Sequence, residues 1–270
     1  QVSPEHPLRT RQRIVYVPPR VPEPPVDTRY TVLYEDEHLL AVSKSANIPT
    51  SPSGKYWHHS LRLVLQRERG LERLHAVHRL DRETSGVNLF AKTAQAARLL
   101  GDAFHQGRVT KTYVAILQGH LAAREVWLNA PLADAGGVVH VKQAVRQGGR
   151  PAQTRFVLQA LLPGASLVQV LPLTGRTHQI RAHAAFLGHP VWGDRLYGVP
   201  EEEFIRWVAS PERDLSGRHL LHAASLELAH PLTGQLLLLQ APRHDLMQVF
   251  LAQRAAPVVH QVPPGTAARA

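Results

Sequence analysis

Cysteine is absent from this 270-residue chain, and that absence removes three chemistries at once. No disulfide scaffold, thiolate metal site or thiol nucleophile can be built. Nor does any uninterrupted apolar run approach the ~18 residues that a membrane-spanning helix needs. A charged-then-apolar leader is not visible, so a cytoplasmic location is the expectation. Negative charge is also in short supply: 21 Asp and Glu stand against 31 Lys and Arg, a net +10 with histidine neutral. Such an excess favours a polyanionic partner. Nucleic acid ranks ahead of a membrane surface, because no basic amphipathic segment stands out.

What is present is a globular composition. Hydrophobic residues make up 44% of the chain, enough to bury a core in one large domain or two modest ones. Residues 1–27 carry seven prolines and read as an extended linker. Residues 251–270 hold no aromatic residue and no sustained period, so a frayed or loosely docked tail is expected. The globular unit is placed at 28–250, and no internal repeat is visible.

Within that unit strand and helix signals mix. "YTVLYEDEHLLAVSK" (30–44) gives two β-rich runs around an acidic turn, the pattern of a hairpin. "SLRLVLQRERG" (60–70) offers Ser60 as an N-cap, Leu61, Val64 and Leu65 as an apolar face, and Gly70 as a stop. "TAQAARLLGDAFHQG" (93–107) is a clearer helix, capped by Thr93, striped by Ala97, Leu100 and Phe104, and ended by Gly107. Strands are expected over 110–119, 155–161, 166–173 and 235–242. Strands outnumber helices, so the expected class is α/β (α+β): an antiparallel or mixed sheet flanked by helices.

Two segments concentrate charge. In "LTGRTHQIRAHAAFLGHP" (173–190), Thr177 can cap a helix whose apolar stripe is Ile180, His183, Ala184 and Leu187. His183 then belongs to the core, while His178 and Arg181 share an adjacent face and Arg176 stands just ahead. Two readings remain open there: a solvated basic helix end, or an anion site. In "VHRLDRETSG" (77–86), Asp81 sits between Arg79 and Arg82. No histidine pair here has the i, i+4 spacing of a zinc site, and no G-x-S-x-G elbow is present. Asp81 and Glu83 are a weak match to a glycosidase pair, being two apart on one side of an extended segment. What remains is a lone carboxylate among cations, which stays ionised because opposite charge lowers its pKa. By charge alone, a surface ion pair remains the better reading of it.

"HRLDRETSG" (78–86) resembles the first motif of the RluA/RluC/RluD-type RNA pseudouridine synthases. "GRVTKTYVAILQG" (107–119) is similar to their second motif, and "PLTGRTHQIRAH" (172–183) to their third. "GRPAQTRFVL" (149–158), "LGHPVWGDRLYG" (187–198) and "RHLLHAASLELAHPLTG" (218–234) continue the resemblance in order, over roughly residues 30–245. One departure is that Ser43-Lys44-Ser45-Ala46-Asn47 stands where the family usually has an Asn-Lys-Pro-x-Gly-like segment. Residues 6–19 faintly resemble the end of the S4 RNA-binding domain that many members carry, making 1–27 a candidate remnant.

The resemblance implies a split, mostly antiparallel sheet and the isomerisation of uridine to pseudouridine within RNA, ribosomal or transfer, without cofactor or metal; a monomer is the default expectation. It makes Asp81 the essential carboxylate, Arg181 its ionic partner, and Tyr113 the ring stacked on the flipped uracil, with Lys111 a source of assistance to its phenol. Ile180 would pack on the other face of the base, and Arg79 would fill the gap left in the RNA. Arg176, His178, Arg82 and Lys111 would touch phosphates. An inactive RNA-binding module on the same fold and a nucleoside hydrolase are the rival readings.

Overall fold

Period-2 alternation around an acidic turn folds residues 30–44 into the expected hairpin, β1 (Tyr30–Glu35) paired antiparallel with β2 (Leu39–Lys44). The turn closes because the Asp36 carboxylate accepts the backbone N–H groups of His38 and Leu39. These positions belong to a computed structural model that describes residues 22–210, 218–243 and 245–254, with residues 5, 7 and 10–13. Most of the readings made for 1–27 and 251–270 therefore lie outside the described residues.

After β2, Asn47 takes a left-handed backbone with φ 62°. Asn is among the few non-glycine residues that enter this region at small cost, so it serves where the family pattern has glycine. Helix α1 (Leu61–Glu68) buries Leu61, Val64 and Leu65 as its spacing predicts. Ser60 occupies the N-cap position, but its hydroxyl donates back to the Trp57 carbonyl instead of accepting from the first turn. A short β3 (His75–Ala76) precedes β4 (Ser85–Ala91), which the sequence pattern did not single out. Then comes α2 (Ala94–His105), where the Thr93 hydroxyl accepts from the Ala96 N–H as a side-chain cap.

The second half of the chain supplies β5 (Thr110–Gln118), β6 (Glu125–Asn129), β7 (Leu132–Asp134), β8 (Gln143–Val145), β9 (Gln153–Leu162) and β10 (Ala165–Pro172). Helix α3 (Gln179–Phe186) and helix α4 (Glu201–Ala209) follow, then β11 (Leu221–Ala229), β12 (Leu236–Gln240) and α5 (Asp245–Arg254). The α5 helix runs across position 250, burying Met247 and Phe250 beside Trp192, so the boundary expected there falls inside an element. Thr177 is not the cap of α3: that position belongs to His178, at φ 54° and without a side-chain cap bond.

Ten strands form one sheet in the order β1-β2-β4-β11-β5-β10-β9-β6, with β12 on β11 and β3 on β4. The pairings are antiparallel save one, β4 with β11, which runs parallel for two residue pairs, His222 with Ser85 and Ala223 with Gly86. The class is thus the expected mixed, mostly antiparallel sheet flanked by helices. The core around Phe90 lies on one side of that short seam and the cores around Val170 and Ile116 on the other, while the core around Leu89 spans it, joining β2 and β4 to β11 and β12. At the seam Gly86 has φ 110°, and a Cβ there would lie 2.1 Å from the Ala223 carbonyl oxygen. Only glycine lets the two strands approach this closely.

Candidate active site

The loop that carries Asp81 enters β4 at the seam and is pinned from both sides. The Leu80 N–H donates to the Thr50 hydroxyl, and the Thr84 N–H donates to the Asp81 carbonyl. Across the seam Thr84 Oγ1 lies 2.9 Å from His219 Nε2, and Ser85 Oγ 2.9 Å from His222 Nδ1. Asp81 is thereby fixed on one half of the sheet while α3 presents Arg181 from the other.

Arg181 spans the gap. Its Nη1 donates to Asp81 Oδ2 at 2.9 Å, and its Nε and Nη2 make a bidentate pair with Asp194 at 2.6 and 2.9 Å. Both Arg181 and Asp194 are buried, whereas the Asp81 side chain is 28% exposed and so reachable from solvent. Burial alone would raise the Asp81 carboxyl. The Arg181 guanidinium outweighs it, helped by His178 and His219, and the net displacement is downward. Asp81 Oδ1 has no protein hydrogen-bond partner among the described residues, which leaves one carboxylate oxygen for a substrate.

His178 stands over the other side of Asp81, its Nε2 3.9 Å from Oδ2. Its Nδ1 lies 3.1 Å from the Tyr197 hydroxyl, which accepts the Gln143 N–H at 2.8 Å. That hydroxyl proton is therefore free to be donated to Nδ1, leaving Nε2 as the protonated nitrogen facing Asp81. Burial holds the imidazole below its ordinary value, so the ring is neutral near pH 7 despite Asp81. The left-handed backbone of His178 is the local strain that turns the ring inward. Tyr197 also lies under the Arg181 guanidinium, 5.1 Å from ring centroid to carbon, and burial pushes its phenol up to about 12.

Tyr113, on β5, packs against the same apolar cluster as the buried Ile180 of α3. Burial, and then the negative charge of Asp81, raise its phenol well above the usual range, so it is protonated at neutral pH. The Lys111 ammonium donates to the Thr174 carbonyl at 3.0 Å. Burial and the neighbouring Arg176 hold Lys111 below its ordinary value. Arg176 in turn donates from Nε to the Pro151 carbonyl. Arg79 is exposed, two residues ahead of Asp81. Arg82 donates to the Tyr56 hydroxyl at 2.7 Å and to Glu83 at 2.9 Å. Glu83 is occupied by Arg82 and by His219, whose Nδ1 is 3.4 Å away, so it serves an ion cluster. His183 is a core residue, held by Thr154 Oγ1 and the Ala130 carbonyl.

Sequence reasoning assigned no role to Asp194, Tyr197 or His219. "LGHPVWGDRLYG" held the first two, but nothing in its spacing connects it with Asp81. Lys44 was quoted only as part of a departure from the family pattern. It is 1% exposed, and its ammonium donates to the carbonyls of Ser45 and Arg82, tying β2 to the loop bearing Asp81. Burial, reinforced by Arg218, pushes its amine down to about 7. An unfolded lysine titrates near ~10.4, so between about 7 and that value the unfolded chain binds more protons and stability rises with pH. Lys44→Met removes this contribution. Its melting temperature minus that of the wild type is expected to fall by about 2–4 °C per pH unit from pH 7 to about 9.5. A difference independent of pH in thermal melts would show that Lys44 titrates alike in both states.

Comparison with known proteins places this geometry. The family model described as RNA pseudouridylate synthase matches residues 38–186, a span that holds Asp81, Tyr113 and Arg181. The chain is 36% identical over 227 residues to the ribosomal large subunit pseudouridine synthase C of Escherichia coli, covering 79% of this chain. It spans 66% of that relative's length, just under two thirds. To the dual-specificity RNA pseudouridine synthase RluA of Escherichia coli it is 34% identical over 220 residues, covering 81% of this chain and 95% of that one. Among solved structures, human RNA pseudouridylate synthase domain containing 1 superposes with a TM-score of 0.65 at 26% identity, covering 87% of this chain and 98% of the other.

Proposed function

This chain belongs to the RluA/RluC-type RNA pseudouridylate synthase family, and we propose that it isomerises specific uridines of ribosomal RNA to pseudouridine. The observation that carries the reading is the partly exposed Asp81 carboxylate, held toward its ionised form, with Oδ2 engaged by Arg181 and Oδ1 without a protein partner among the described residues. A binding module has no use for such a group, and a hydrolase would need a second positioned carboxylate that Glu83, held by Arg82 and His219, does not supply.

The reaction breaks the N1–C1′ bond, turns the uracil while it is bound, and joins C5 to C1′. No atom is lost from the nucleoside, but C5 gives up a proton and N1 acquires one. Asp81 acts at the sugar–base junction, and Arg181 keeps it charged and oriented. Tyr113 stacks on the uracil with its phenol protonated, as a hydrogen-bond partner at the ring and not as a phenolate. Ile180 closes the pocket from α3. His178 presents its Nε2–H beside the carboxylate and steadies it as the substrate changes charge.

The target nucleotide has to leave its stack before Asp81 can reach C1′. Arg79, exposed two residues ahead of Asp81, is placed to enter the vacated position. Lys111 and Arg176, two cations held by backbone carbonyls at the cleft edge, position phosphates without reading sequence. Arg82 is set aside from that role because Tyr56 and Glu83 engage it.

Unmodified transcripts of large-subunit ribosomal RNA, tritiated at uridine C5, test the reading directly. Incubation with the protein is expected to release one tritium per modified site and to leave pseudouridine at a defined position. Transfer RNA transcripts form the second arm, and release from them alone would transfer the assignment to that substrate. No release from either would remove the assignment.

A further inference from the structure

The loop between β2 and α1, residues 51–59, carries "SPSGKYWHH" and lies against the catalytic loop. Its backbone is closed by the paired Ser53 and Tyr56 N–H and carbonyl groups, at 2.8 and 3.0 Å. Tyr56 fastens it to the segment bearing Asp81, because its hydroxyl accepts from Arg82 Nη1 and the Arg82 guanidinium lies 5.7 Å above its ring. The next residue, Trp57, is tied through its backbone at both ends. Its N–H donates to the Glu23 carboxylate at 2.9 Å, and its carbonyl accepts from the Ser60 hydroxyl at 3.0 Å. Its indole is nonetheless 63% exposed, and among the described residues no ring or guanidinium covers it.

The exposed indole is held out on a backbone fixed at both ends, and its surroundings narrow what it could meet. Lys55 and His58 flank it, Arg79 and Arg82 stand on the adjacent loop, and the whole chain carries +10. Those charges favour a polyanion. The three consecutive N–H groups of Trp57, His58 and His59 would suit a phosphate, but Glu23 already takes them all, at 2.9, 2.8 and 2.7 Å. With the backbone donors occupied and the Tyr56 ring engaged by Arg82, the free group is the indole face.

We propose that Trp57 is a stacking platform for an unpaired base of the RNA strand, outside the pocket that takes the target uridine. The inference rests on the reading of the chain as an RNA-modifying enzyme, and adds where the strand next to the target is held. Base stacking on an aromatic side chain tolerates any base, so Trp57 contributes grip and strand path more than sequence choice. Its backbone is ordered before RNA arrives, so little entropy is lost on contact. Glu23 thereby acquires a role of its own, since a carboxylate of the N-terminal segment fixes the loop that holds the platform out.

The test compares Trp57→Ala, Trp57→Phe and a matched control, Trp127→Ala, in the tritium-release assay on the ribosomal transcript. Trp127 is 61% exposed, but lies on β6 at the far edge of the sheet, with the Arg155 guanidinium over its ring. Trp57→Ala is expected to raise KM about tenfold, equivalent to about 1.4 kcal/mol, with the loss on KM and not on kcat. Trp57→Phe should restore KM to within about threefold, and Trp127→Ala should leave it at the wild-type value. Titration with the same transcript should quench tryptophan emission in the wild type and quench it less in Trp57→Phe. An unchanged KM in Trp57→Ala, equal losses in Trp57→Ala and Trp127→Ala, or full quenching in Trp57→Phe would each overturn the platform. A wild type that releases no tritium defeats the reaction, while the quenching comparison still decides the role of Trp57.

Discussion

Asparagine at position 81 is expected to stop pseudouridine formation while leaving the protein folded and bound to RNA. The substitution keeps the size of the side chain and removes its charge. Arg181 would lose one anionic neighbour, yet its bidentate pair with Asp194 remains, so the helix that carries it stays in place. Loss of a group acting directly at the reacting atoms lowers kcat by at least about 10³-fold in comparable enzymes, and a deficit of that size is expected here. RNA affinity should stay within about threefold, because the phosphate contacts proposed for Lys111 and Arg176 are untouched. Tritium release and filter binding on the same preparation separate the two effects. A variant retaining a tenth of the wild-type rate would take Asp81 out of the chemistry.

The second large effect concerns stability, and it comes from a residue no motif reading selected. Asp194 is fully buried and holds Arg181 through two hydrogen bonds, and its Oδ1 also accepts the N–H groups of Leu196 and Tyr197. Burial would raise its carboxyl, but Arg181 overrides that and holds it below the usual range. Alanine at this position leaves a buried guanidinium with Asp81 as its remaining partner and orphans two backbone donors. Breaking one side of a buried pair typically costs about 3–5 kcal/mol, which in a chain of this size lowers the melting temperature by about 10 °C. Asp194→Asn should lose less, because an amide oxygen can still accept the two backbone N–H groups. The alanine variant should also lose activity at temperatures where it is folded, since Arg181 is then free to follow Asp81 out of its oriented position. Thermal melts of the two variants decide the matter; a shift below about 2 °C for alanine would show that Asp194 does not brace the site.

How legible these features were in the sequence depends on what made them. The β1–β2 hairpin, the face of α1 and the Thr93 cap came through because local spacing and local hydrogen bonding create them. Strand β4 did not, since all seven of its residues are buried and a strand covered on both faces shows no alternation. Strand β11 was hidden for a related reason: its first three residues are all buried at the seam, where His222 is engaged by Ser85 of β4. Thr177 looked like a cap by residue type, but the chain reaches α3 through a left-handed His178, a strain set by the pocket and not by helix propensity. Asp81 and Arg181, 100 positions apart, could be joined by resemblance alone. Asp194, Tyr197, Lys44 and His219 act through contacts that no spacing rule encodes, so only the fold brings them to the site.

The parallel seam has a temporal consequence for the chain. The bonds that lock the catalytic loop, Thr84 to His219 and Ser85 to His222, join residues 135 and 137 positions apart. Closing a loop of that length is slow compared with forming a hairpin or a helix. During synthesis the β1–β2 hairpin, α1 and α2 have their local partners within the first hundred or so residues. The loop bearing Asp81 lacks its latch until the segment beyond His219 has emerged and inserted β11 between β4 and β5. The Asp81 carboxylate is thus ordered late, and a nascent chain carries its motif long before the two halves of the sheet enclose it.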